Sequence, residues 1–291
     1  MSSLKEVKTR IASVNSTRKI TSAMKMVASS KLHRAQQAIE GMRPYQSQLT
    51  NMVGRFFNSM HGDINSPFIL KRPVSKVAIV VLSSNSSLCG GFNANVAKLL
   101  AKTIESYKQE SITDITVFPI GAKIAENARK MNTVVCDGAS DFTAMLDHPQ
   151  YSQIASLAKE LMDNFVNEKY DKIDLIYHQY KSTSTQILQR KTLLPIDLSQ
   201  KVCDESGQLD YIIEPSAAEL LEMLLPLSIS FQLYTAVLDS LASEHAARVV
   251  AMQVATDNAD DLLHELTLTY NKTRQQAITS ELLDIAGGSA R

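Results

Sequence analysis

Apolar residues near the start of the chain fall at Leu4, Val7, Ile11 and Val14, and again at Leu32, Ala35, Ile39 and Met42. Steps of three and four set them on one face of a helix. The register drifts between the two stretches, and the middle is rich in small and flexible side chains: Ala23, Met24, Met26, Ala28, Ser29 and Ser30. No breaker intervenes before Gly41 and Pro44, where the pattern predicts a bend. From Ser216 to about Ile285 the helical pattern returns without a glycine, and Pro226, its only proline, predicts a kink. At 1.5 Å per residue the two segments would span roughly 80 Å and 105 Å. Helical patterns of that length indicate a coiled coil rather than a compact helical domain.

Between them the period changes. Short β-rich apolar runs predict strands over Val77–Ser83, Ile115–Ile120, Thr133–Cys136, Ile173–Tyr180 and Thr185–Leu193. Helical patterns cover Asn93–Gln109, Ala122–Lys130 and Tyr151–Asn167. Alternation of this kind implies an α/β layer with a partly parallel sheet. The last two strands have no helix between them and predict an antiparallel hairpin at the sheet edge. The expected fold is α/β: a long antiparallel coiled coil of N- and C-terminal helices with an inserted Rossmann-like α/β domain. Its expected division is residues 1–60 for the first coiled-coil helix, 61–213 for the central domain and 214–291 for the second helix.

Charge strengthens the pairing of the two ends. The whole chain carries 30 basic and 30 acidic residues, yet residues 1–60 hold ten Lys or Arg against two acids. Residues 214–291 hold eleven acids against four bases, so the termini attract each other. The second helix mixes Leu with many Ala, Thr, Asn, Gln and Ser, whereas a free-standing coiled coil would carry Leu or Ile at nearly every seam position. Such a rod buries little apolar area by itself and is expected to be enclosed by something else. No uninterrupted apolar run reaches the ~18 residues of a membrane span.

The stretch "SSLCGGFNAN", Ser86 to Asn95, joins a buried strand to a helix, the junction at which many α/β enzymes hold a phosphate. It has neither GxGxxG nor GxxxxGK[ST], and its paired glycines read as a tight turn or close packing. Replacing either Gly90 or Gly91 by Ala is therefore expected to impair folding. The six histidines form no HxxxH pair, Cys89, Cys136 and Cys203 form no CxxC, and "DNADD" lacks the spaced ligands of a calcium loop. No catalytic residue, cofactor or metal is expected. Aromatic residues do not interleave the basic N-terminal face, which argues against a nucleic-acid partner.

Three long motifs carry a resemblance. "LKEVKTRIASVNSTRKITSAMKMVASSKLHRAQ", "SLCGGFNAN" and "LASEHAARVVAMQVATDNADDLLHELTLTYNKTRQQAITSELLDIAGG" resemble the gamma-subunit family of the F-type ATP synthases over essentially the whole chain. Ile278, Thr279, Glu281, Asp284 and Gly287 match its signature near the end. The family usually has a basic residue before Leu-Cys-Gly-Gly, where this chain has Ser87. The resemblance implies a non-catalytic central stalk that rotates within a ring of alpha and beta subunits and couples proton translocation to ATP synthesis. It also implies contacts with the epsilon subunit and the c-subunit ring. The expected place is the cytoplasmic face of a bacterial inner membrane, with membrane contact only through the complex. By resemblance, Arg274, Gln275 and Thr279 match positions that meet beta-subunit loops, while Met24 and Arg248 match positions near the beta-subunit levers and the opposing helix. The alternatives are a coiled-coil adaptor with an α/β head that binds other proteins or nucleic acid, and a Rossmann-type enzyme lacking a cofactor fingerprint.

Overall fold

Six apolar residues in a row make the first strand, β1 (Lys76–Leu82), and all six are buried. Val77, Ile79 and Val81 enter one apolar layer, and Ala78, Val80 and Leu82 enter the other. A strand apolar on both faces belongs at the centre of a covered parallel sheet. The computed structural model, which describes residues 4–59, 66–131, 134–136, 139–147, 149–196 and 216–288, places it there.

The elements follow in the order α1 (Leu4–Ser59), β1, α2 (Phe92–Gln109), β2 (Asp114–Ile120), α3 (Ala122–Lys130), β3 (Val134–Val135), α4 (Ala139–Ala144), α5 (Tyr151–Val166), β4 (Lys172–Tyr180), β5 (Gln186–Leu194) and α6 (Ala217–Gly288). The sheet runs β3-β2-β1-β4-β5, parallel except for the antiparallel β4–β5 hairpin at its edge. Val96, Leu100 and Ile104 of α2 and Ile124 of α3 cover one face. Ile154, Leu157 and Leu161 of α5, with Ile229, Leu233 and Val237 of α6, cover the other. The expected α/β alternation and edge hairpin are thus present, with most element ends within one residue of expectation. The short α4 is an addition, and Thr133 lies outside the described residues.

The two prolines do not interrupt their helices. α1 is continuous for 56 residues through Pro44, and α6 for 72 residues through Pro226. An interior proline costs about 3 kcal/mol, whereas burying one large aliphatic or aromatic side chain returns about 1.5–3 kcal/mol. Leu49, Val53 and Phe56 beyond Pro44, and Leu221, Leu225 and Ile229 around Pro226, are all buried. Packing therefore outweighs the local penalty at both sites.

α6 also contains a window of 18 residues with mean hydropathy 1.4, long and apolar enough by composition to cross a membrane, although no uninterrupted apolar run marks it. Its apolar residues have another use: Leu221 and Leu225 pack with Val53 and Phe56, and Ile229 and Leu233 pack under the sheet.

The chain forms two compact units. One comprises residues 1–30 and 248–291, and the other residues 31–247, so α1 and α6 each contribute to both. In the larger unit, Ala28's successors Leu32, Ala35 and Ile39 continue the buried stripe of α1 at helical spacing.

Candidate functional site

Two places could carry function: the crevice at the carboxyl end of β1, and the helical unit. The crevice lies where strand order reverses between β2-β1 and β1-β4, the usual ligand position in an open α/β sheet. Its polar groups are engaged with one another. Asn93 Nδ2 donates to Ser84 Oγ at 2.8 Å, to the Ser86 carbonyl at 3.3 Å and to Cys89 Sγ at 3.2 Å. Asn93 Oδ1 accepts from the Ser84 backbone N–H at 3.1 Å, and Ser84 Oγ donates to the Ser86 carbonyl at 2.6 Å. Asn85 Oδ1 accepts the Ala122 N–H at the start of α3, at 3.2 Å. Deeper in, the Phe92 ring stacks on His178 with centroids 4.3 Å apart. The turn holds β1, α2 and α3 together through its own side chains.

The glycines divide differently from expectation. Gly90 has φ +59°, which suits glycine, but Gly91 has φ −80° and a Cβ there would meet nothing closer than the Asn95 side chain at 3.4 Å. The expectation that Gly91→Ala impairs folding is therefore withdrawn. Leu88 at φ +66° is 59% exposed and takes the left-handed conformation that side chains disfavour.

His178 is expected to make stability depend on pH. Burial pushes its imidazole down from 6.5 to about 4, and its Nδ1 has no hydrogen-bond partner among the described residues. The folded state then resists protonation while the unfolded chain accepts it. Stability is full above the unfolded value and falls as pH drops from about 6.5 towards about 4, by roughly 3 kcal/mol in total, then stays level below that for this group. Denaturant titrations of wild type and His178→Gln should show stability curves that converge below neutral pH. Parallel curves between pH 4 and 7 would contradict the assignment.

In the helical unit α1 and α6 run antiparallel and meet through polar side chains. Arg18 donates to Asp260 at 2.8 Å, Thr21 and Thr256 share a hydrogen bond of 2.9 Å, and Lys25 donates to Gln253 at 2.5 Å. The apolar seam is thin: Val7 and Ala28 are the buried apolar residues of α1 here, against Met252, Ala259 and Leu266 of α6. The last three recur every seven residues, the spacing of a coiled-coil seam. Outward, Ile20, Met26, Val27, Val254, Leu268, Leu282, Leu283 and Ile285 are each at least half exposed. A run of exposed large apolar side chains marks an interaction surface.

The five residues singled out in the sequence all fall in this unit. Met24 is half-buried on α1, and Arg248 is buried on α6. Arg274, Gln275 and Thr279 are exposed, and Thr279 Oγ1 donates to the Gln275 carbonyl one turn earlier at 2.9 Å, so these two share a face. Sequence reading missed the exposed apolar tail at Ile278, Leu282, Leu283 and Ile285, whose spacing was the available signal.

Known proteins place the chain directly. The family model described as ATP synthase matches residues 3–290. The ATP synthase gamma chain of Phocaeicola vulgatus is 52% identical over 291 residues, covering 99% of each chain. That of Bacteroides fragilis is 54% identical over 292 residues with the same coverage, and that of Flavobacterium johnsoniae 43% over 290. A central-stalk chain from the Tetrahymena thermophila mitochondrial ATP synthase superposes with TM-score 0.60 at 20% identity, over 81% of this chain and 99% of that one. A chain of the Euglena gracilis mitochondrial ATP synthase gives 0.54 at 20% identity, over 92% and 94%. A sheet flanked by two very long helices is common to this fold, and near-complete alignment at half identity extends the likeness to the whole sequence: the chain belongs to the ATP synthase gamma chain family.

Proposed function

We propose that the chain is the non-catalytic rotor of its ATP synthase complex, turning within a ring of alpha and beta subunits to couple proton translocation to ATP synthesis. The observation that carries this reading is the helical unit: a thin seam, polar cross-links and many exposed apolar side chains. Such a surface is suited to enclosure by partners. The chain meets the epsilon subunit and the c-subunit ring through its other unit and lies at the cytoplasmic face of the bacterial inner membrane, held there by the complex. Its functional division is residues 1–60 for the first coiled-coil helix, 61–213 for the central domain and 214–291 for the second helix.

Coupling follows from asymmetry. Three chemically identical beta subunits around one shaft touch different faces of it and take different nucleotide affinities. Driving a site almost wholly from one state to another needs about 5.5 kcal/mol of differential interaction. One exposed ion pair gives about 0–1 kcal/mol, so several contacts act together. Arg274, Gln275 and Thr279 meet beta-subunit loops high on the shaft, and Met24 and Arg248 act lower, at the beta levers.

Met24→Lys tests this. A charge added beside exposed Met26 and Val27 disturbs transmission, whereas the chemistry resides on other chains. ATP hydrolysis per assembled complex should change little while proton pumping in the same membranes falls several-fold. Equal loss of both activities per complex would refute the coupling role.

A further inference from the structure

Within the unit of residues 31–247, α1, the β4–β5 hairpin and α6 line an open-sided cavity of about 350 Å³. Eleven of its twelve lining residues have hydrogen-bonding side chains, Ala236 being the exception. The surroundings are not polar in general, since Ile229, Leu233 and Val237 on the same stretch of α6 belong to the apolar core.

Its charges do not balance. Asp239, with its side chain 5% exposed, is paired to Arg43 NH2 at 2.9 Å, and the same nitrogen donates to the Tyr180 carbonyl. Lys191 lines the cavity half-buried, with no hydrogen bond or ion pair among the described residues. Burial pulls its ammonium below the ordinary value, and the Asp239 charge only partly offsets this. A part-buried cation that shares the Asp239 carboxylate with Arg43 is incompletely compensated. The lining bears Arg43 and Lys191 against one carboxylate, an excess of one positive charge. Gln179 turns its amide oxygen to Gln189 Nε2 at 2.6 Å, which leaves its own amide nitrogen as a donor to the cavity. The volume lies in the range of small-molecule sites.

The geometry points to a binding site for a small organic anion, its carboxylate or phosphate group held by Lys191 and the remaining nitrogens of Arg43 and its neutral polar body lying against Gln46, Gln179 and Gln232. Charge-assisted hydrogen bonds supply affinity, and the amides supply orientation. The site is separate from the coupling residues, and nothing in it depends on rotation.

The test uses the full chain with three probes at fixed ionic strength: citrate, glycerol 3-phosphate and neutral glycerol. Saturable binding of one citrate or one glycerol 3-phosphate per chain is expected by titration calorimetry, with none for glycerol; the probe that binds identifies the anionic group. Lys191→Gln should weaken that binding about tenfold or more. Lys191→Arg should retain it, and Gln46→Leu, which keeps both charges, should weaken it several-fold. Absence of saturable binding by both anions up to about 10 mM, or equal affinity in folded Lys191→Gln, overturns the site.

Discussion

Asp174→Ala should lower the stability of the chain by about 3–5 kcal/mol, the usual effect of stripping one partner from a buried ionic group. Asp174 is fully buried in β4, and four side chains depend on it. Tyr107 OH donates to it at 2.6 Å, Arg190 Nε at 2.7 Å and Thr192 Oγ1 at 3.1 Å, while Lys172 Nζ stands 3.9 Å away. Arg190 also lies over the Tyr107 ring, 4.7 Å from its centroid. Burial, reinforced by the Asp174 carboxylate, pushes the Tyr107 phenol far above its ordinary value, so it remains a donor throughout the working pH range. Alanine would leave that hydroxyl and the guanidinium without their acceptor. The double variant Asp174→Leu with Arg190→Met removes charge from both sides and should recover part of the loss, the Tyr107 hydroxyl still lacking its acceptor. Chemical denaturation of the three proteins decides the matter: a single-variant loss below about 1 kcal/mol would mean the cluster is too hydrated to be counted as buried.

Gly121→Ala should be nearly as severe, at about 3–5 kcal/mol, from backbone strain together with overpacking. Gly121 stands between β2 and α3 with φ +120°, and a Cβ there would stand 2.7 Å from Ser83 Oγ and 2.9 Å from the Ser83 carbonyl carbon and oxygen. Ser83 has no room to retreat. Its N–H donates to the Ile120 carbonyl at 2.9 Å, and its Oγ accepts the Ile124 N–H at 3.1 Å, tying β1, β2 and α3 together. Gly91→Ala is the control and should cost no more than about 1 kcal/mol. Similar denaturation midpoints for the two variants would show that the close approach at Ser83 relaxes freely.

The contrast between these glycines shows where sequence reading stops. Paired Gly90-Gly91 draws attention as a motif, whereas Gly121 is a lone glycine after "TVFPI". Conformation decides which is irreplaceable, and φ is not visible in letters. The strands and helices of the centre were legible because their apolar residues recur with periods that burial imposes. The Asp174 cluster was not, because its members lie on α2, β4 and β5 and meet only after β4 and β5 pair in register. Pro44 and Pro226 signal a bend and a kink from local propensity, and the letters do not show that each helix continues through its proline. α4 is six residues long, too short to establish a period. Of the candidate site, the letters gave the paired termini and their charge, and the fold supplied the exposed apolar faces.

The cross-links between α1 and α6 have a mechanical corollary. Arg18–Asp260, Thr21–Thr256 and Lys25–Gln253 step in opposite directions along the two helices, and each joins chemically matched groups. Sliding one helix by a turn would break all three at once, so the pair resists shear. Pulling the helices apart exposes little apolar surface, because the seam between them is thin, so the same pair yields to peeling. An axle built this way keeps its register under torque yet relies on its bearing to stay closed.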